Sequence, residues 1–121
     1  MRQSHQINYE NMILKYSKND SHKDRLINSD HPSTREKIAK QGDKKHLDKL
    51  VHDEDYYVKT TVAAHRHKEH LDKLVNDKDV DVLRYIARIA GHKEHVEKLA
   101  NHPNKYVKDE AEMTKRMSGW K

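Results

Sequence analysis

Four segments of this chain align with no gaps inside them: HKDRLI from His22 to Ile27, HLDKLV from His46 to Val51, HLDKLV from His70 to Val75, and HVEKLA from His95 to Ala100. They are offset by 24, 24 and 25 residues. A fixed period of this length restricts the fold severely. Each unit is too small to bury its own apolar face, so it must stack on a neighbour. A second pattern recurs between the blocks in the same register: Thr34-Arg35 then Ile38-Ala39, Val58-Lys59 then Val62-Ala63, Val82-Leu83 then Ile86-Ala87, and Val107-Lys108 then Ala111.

Apolar residues at i and i+4 share one helix face. In the block segments, Leu47, Leu50 and Val51, and again Leu71, Leu74 and Val75, fall at i, i+3 and i+4. The unit therefore reads as a longer helix, a tight connection near Gly42 or Gly91, and a very short second helix. Asp53, Asp55, Asp77, Asp79 and Asp81 cluster where the longer helices should begin, and Pro32-Ser33 and Pro103 lie in the same zone. Carboxylates favour that position because orphan N–H groups and the positive end of the helix dipole meet there. The extra residue in the third spacing falls within 88–91, to be absorbed by the loop or by a longer first helix.

The expected fold is all-α: a right-handed α-solenoid of about four 24-residue repeats with capping ends, forming one domain over 1–121. Residues 1–21 form its N-terminal cap, with Ile7, Tyr9, Met12, Ile13 and Tyr16 on one helix. Residues 22–112 are the repeats, and 113–121 the C-terminal cap, where Met113, Met117 and Trp120 close the last layer. Only 33% of the chain is hydrophobic and Phe is absent, a composition that a slender stack tolerates because its core is thin.

The phrases LVHDEDYYVKTTVAAH (Leu50–His65), LVNDKDVDVLRYIARIAG (Leu74–Gly91) and LANHPNKYVKDEAE (Leu99–Glu112) resemble the leucine-rich repeat variant family. Its Leu-Ala pair matches Leu50-Val51, Leu74-Val75 and Leu99-Ala100, and its Asp matches Asp53 and Asp77. Its Val-Arg pair matches Val58-Lys59 and Val107-Lys108, and its Val-Ala pair matches Val62-Ala63 and Ile86-Ala87. The resemblance covers about residues 22–112 and implies a right-handed superhelix alternating an α-helix with a short 3₁₀ helix. The family's proline before the short helix is absent here, which favours α for that element and a stack closer to HEAT repeats. The cysteine ligands of the family's iron–sulfur domain are also absent. No activity follows from the resemblance.

The aligned positions form ladders: His22, His46, His70 and His95; Asp24, Asp48, Asp72 and Glu97; Arg25, Lys49, Lys73 and Lys98. Ladders present long regular faces, so Arg25, Lys49, Lys73, Lys98, His46, His70, His95, Asp48 and Asp72 are the candidate partner-binding residues. The competing reading is a solvated charged face with buried or hydrogen-bonded histidines. A histidine repeated at one position in every unit more often packs or bonds between units than it binds a ligand. His65, His67 and His70, and the pair His92 and His95, have spacings that zinc could use. A third ligand would have to come from a neighbouring repeat, so no metal or other cofactor is assigned.

No HExxH, nucleophile triad or phosphate-cradling glycine loop stands out, and an enzyme is not expected. The leading expectation is a non-catalytic protein-binding module, an adaptor or an inhibitor of a partner protein. The alternative is nucleic-acid backbone binding along the basic ladder, a contact with phosphates rather than bases, with Arg35, Lys59, Arg84, Arg88 and Lys108 as a second stripe. Against it, the net charge of +5 is mild, and acids flank every ladder cation. With no cysteine, no long apolar run and no apolar stretch in MRQSHQINYENM, a cytoplasmic protein without membrane contact is expected.

Overall fold

The computed structural model of the chain describes Glu10, Met12 and residues 20–89 and 91–120. Among them the secondary structure is entirely helical. Eight helices follow one another: α1 (Asp20–Leu26), α2 (Pro32–Gln41), α3 (Lys44–Leu50), α4 (Tyr56–Ala64), α5 (Lys68–Leu74), α6 (Val80–Ile89), α7 (Lys93–Ala100) and α8 (Lys105–Met117). Shorter and longer helices alternate in the register of the repeat. The short ones, α3, α5 and α7, are α-helical, as the missing proline led one to expect. Of the expected N-terminal helix, Met12 is helical and exposed, while Ile7, Tyr9, Ile13 and Tyr16 lie outside the described residues.

The chain divides into two compact units, residues 1–62 and 63–121. In the first, α2 packs against both α1 and α3. Its core contains Leu26, Ile27, Ile38, Ala39, Leu47, Leu50, Val51, Val58 and Val62. Glu10 is buried there as well, its carboxylate accepting from the hydroxyls of Ser29 and Thr34 at 2.8 Å each. In the second unit, α6, α7 and α8 all pack on one another and α5 packs on α6. Leu71, Leu74, Val82, Leu83, Ile86, Val96, Leu99, Val107 and Ala111 are buried there. These are the positions that the two repeating patterns mark as apolar.

Local signals set the helix ends. Asp55 Oδ1 accepts from the backbone N–H of Tyr57 and Val58, and Asn104 Oδ1 from Tyr106 and Val107, so each caps a longer helix. Asp53 and Asp77 stand two residues upstream of Asp55 and Asp79 and accept their N–H groups. Pro32 occupies the first turn of α2, where a missing N–H costs nothing. α6 has 10 residues, the same as α2, so the described part of α6 is not lengthened by the extra residue of the third spacing. The methionines of the expected C-terminal cap point outward: Met113 is 50% and Met117 82% exposed. The buried face of α8 is built instead by Val107, Ala111 and Thr114, spaced i, i+4 and i+7.

The connections after α2, α4 and α6 hold three aligned residues, Gly42, Arg66 and Gly91, of which the first two adopt the left-handed conformation. Gly42 ends α2 at φ 79° and its N–H reaches Ala39 O. Arg66 makes the same bond to Ala63 O, at φ 60°. A side-chain-bearing residue in this left-handed region pays for its Cβ. Gly91 is needed for a different reason, since a Cβ there would lie 3.0 Å from Leu71 Cδ1. Arg66→Gly is expected to raise stability by about 0.5–1 kcal/mol and Gly42→Ala to lower it by about 1 kcal/mol. Urea denaturation midpoints test both; an unchanged or lower midpoint for Arg66→Gly contradicts the assignment of strain.

Candidate functional site

Three of the four ladder histidines are interior residues, and His22 is half-buried. His46, His70 and His95 are 1%, 0% and 4% exposed, on the inner faces of α3, α5 and α7 beside Leu47, Leu71 and Val96. A buried polar ring needs a partner. In the first unit His46 Nε2 donates to Asp24 Oδ1 on α1 at 2.7 Å, and in the second His95 Nε2 donates to Asp72 Oδ1 on α5 at 2.6 Å. The acid of one short helix thus holds the imidazole of the next short helix within its unit.

Those bonds place the proton of both rings on Nε2. The Nδ1 atoms of His46 and His95 are buried with no hydrogen-bond partner. Residues three positions upstream shape that side. Asp43 Oδ2 is 3.9 Å from His46 Nδ1, whereas the His92 ring meets the His95 ring edge-on at 5.4 Å. His67 meets His70 in the same way, also at 5.4 Å. His92 Nε2 further bonds Arg66 O at 3.0 Å. The histidine-rich turns are therefore ring-packing turns, and among the described residues no group of three His, Cys, Asp or Glu is placed to hold a metal ion.

The acids of the ladder lie at the surface and are engaged. Asp24 also receives Lys45 at 2.8 Å, Asp72 receives Lys68 at 3.2 Å, and Glu97 lies 3.7 Å from Lys93. Lys45 first and His46 second hold the Asp24 carboxyl below the usual carboxylate range. His95 first and Lys68 second do the same for Asp72. Asp48 is exposed on α3. Of the cations, Arg25 and Lys49 in the first unit and Lys73 in the second are exposed and enter no ion pair among the described residues. Lys98 donates to Asn76 Oδ1 at 2.7 Å.

The second basic stripe is partly neutralised. Arg35 grips Asp53 through Nε at 2.7 Å and Nη2 at 3.2 Å, and Nη1 reaches Ser29 O. Asp53 holds that guanidinium's pKa above its ordinary value. Arg84 and Arg88 on α6 share Glu110 on α8, at 3.4 and 3.3 Å. Lys108 is exposed, and Lys59 is half-buried.

Sequence reasoning missed a surface on α8. Tyr106, Met113 and Met117 are 65%, 50% and 82% exposed. Their spacing of i, i+7 and i+11 sets them in one stripe, and Glu110 falls within it. Arg84 lies over the Tyr106 ring, 5.7 Å from its centroid. The spacing was visible in the sequence, but the assignment of both methionines to a closing cap concealed it.

Because Asp24 and Asp72 have lowered carboxyl pKa values in the fold, they bind protons less readily folded than unfolded. Their contribution is complete above the unfolded carboxylate value, about 3.9, and is lost as pH falls through the lower folded value. Thermal melts should therefore show an acid-side loss of stability below about pH 4 that is reduced in the variant Asp24→Asn/Asp72→Asn. An acid limb identical in wild type and variant would refute the linkage.

Among the described residues, no helix is long and apolar enough to cross a membrane. Compared with protein-family models, with curated proteins and with solved structures, the chain finds no match in any of the three.

Proposed function

We propose that this chain is a non-catalytic protein-binding module, acting as an adaptor or an inhibitor of a partner protein. In this reading it is a right-handed α-solenoid of about four 24-residue repeats, akin to the leucine-rich repeat variant and HEAT types. The observation that carries the reading is the exposed stripe of Tyr106, Met113 and Met117 on α8. In a chain with 37% charged residues, three large apolar side chains in line on one helix are a costly surface to leave in water. Tyrosine and methionine are also suited to protein contacts, the first as a rigid amphipathic anchor and the second as an adaptable apolar one.

Nothing in the surroundings of the buried histidines favours catalysis. Nε2 of His46 and His95 is committed to a carboxylate, and the other ring nitrogen faces the interior. A general base must present a free nitrogen to a substrate proton.

A second reading, contact with a nucleic-acid backbone, draws on a separate observation. Arg25, Lys49 and Lys73 are exposed and enter no ion pair among the described residues, while Asp24 and Asp72 beside the ladder are already held by a lysine and a histidine each. The two-point capture of Arg35 by Asp53 weakens it.

Cross-linked affinity purification with wild type and with Met113→Ser/Met117→Ser should return a protein that the variant retains at least about fivefold less. Recovery of no reproducible protein, or equal recovery by both baits, counts against the leading reading. A fluorescent duplex titrated against wild type and Lys49→Glu/Lys73→Glu tests the other. Three phosphate contacts predict a log–log salt slope of about −2 to −3, abolished by the substitutions.

A further inference from the structure

Arg84 and Arg88 stand one turn apart on α6 and converge on a single carboxylate, Glu110. Both contacts are long for charge-assisted hydrogen bonds, at 3.4 and 3.3 Å. Two positive charges thus share one negative charge, and Arg84 Nε is buried with no hydrogen-bond partner. Guanidinium groups are built for two-point contact with carboxylates, and here most of their donors are unspent. The side chains remain reachable, Arg84 at 37% and Arg88 at 60% exposed.

The apolar stripe begins beside this pair. Tyr106 lies under Arg84, one turn before Glu110, and Met113 and Met117 continue along α8 one and two turns after it. A surface that sets an under-neutralised arginine pair next to a row of apolar side chains has a definite complement. From this geometry we infer that the α6–α8 face of the second unit binds an acidic amphipathic segment of the partner protein. A carboxylate of that segment pairs with Arg84 and Arg88, and its apolar side chains cover Tyr106, Met113 and Met117. The inference rests on the protein-binding reading and specifies the chemistry of the partner. A phosphate backbone suits the face poorly, because it would leave both methionines in water.

Glu110 has a distinct part in this arrangement. It occupies the arginines in the free protein and competes with the incoming carboxylate. Removing its charge should therefore strengthen binding, an outcome that a merely structural ion pair does not produce.

The test uses the full chain and three fluorescent peptides: one alternating pairs of Glu and Leu, a twin with Lys for Glu, and an all-Glu peptide of equal length. The Glu-Leu peptide should bind at least about tenfold more tightly than either of the others. Arg84→Gln/Arg88→Gln should weaken its binding by roughly tenfold or more, and Met113→Ser/Met117→Ser by severalfold, while Glu110→Gln should tighten it by severalfold. Thermal melts report whether each variant is folded, and Glu110→Gln keeps the test decisive if the double arginine variant is not. Equal binding of the Lys twin overturns the inference, as does unchanged or weaker binding by Glu110→Gln. So does a short DNA duplex that competes the Glu-Leu peptide from the arginines. These outcomes are separable from failure of the parent reading: a cross-linked partner retained by Arg84→Gln/Arg88→Gln leaves protein binding standing and removes only this face and its acidic ligand.

Discussion

A helix of seven residues does not hold itself in water. Nucleation is costly, and isolated helices shorter than about 12–15 residues are marginal even with favourable sequences. The short helices α3 and α5 have seven residues each and α7 has eight, so their existence depends on what their inner faces bury. Each contributes two fully covered aliphatic side chains and a histidine to the interior: Leu47, Leu50 and His46; Leu71, Leu74 and His70; Val96, Leu99 and His95. A buried leucine contributes roughly 2 kcal/mol, which is enough to matter against the ordering of so short a segment. Everything else about these units, including which polar groups reach the surface, follows from the need to cover that narrow stripe.

The imidazole in the middle of the stripe turns burial into registration. An aliphatic side chain there would pack at several neighbouring offsets, because dispersion is nearly indifferent to direction. A ring nitrogen that must find a carboxylate is not indifferent. The pairs His46–Asp24 and His95–Asp72 each tie a buried atom to a surface atom on the preceding short helix of the same unit. The lysines at the surface, Lys45 and Lys68, then complete the coordination of the acids. What looks like a pattern of surface charge is in large part the outer edge of an internal hydrogen-bond system.

Much of the fold was legible in the sequence because its signals were repeated. The i, i+4 pairs, the aspartates before the longer helices and the glycine at 42 each have one dominant physical meaning. The site was less legible for the opposite reason. His46 and Asp24 are 22 residues apart, and nothing in either position says which direction the ring turns. Glu10 becomes meaningful only when Ser29 and Thr34 are brought to it. Arg66 stands where its counterparts are glycines, yet only Gly42 shares its left-handed backbone, so the alignment did not reveal it. On α8 the same side chains fit two accounts, a closing cap or an open stripe, and only burial distinguishes them.

The histidine-to-acid bond also bears on how such a chain can be lengthened or shortened. Every 24-residue unit brings a histidine and, two positions later, an acid: His46 with Asp48, His70 with Asp72, His95 with Glu97. One half of the bond faces backward along the chain and the other forward. The two observed bonds each lie inside one compact unit, Asp24 with His46 and Asp72 with His95. Duplication of a stretch that already holds both partners, 22–51 or 70–100, carries donor and acceptor together. A chain built this way can change length by recombination within its own gene without first inventing a new interior.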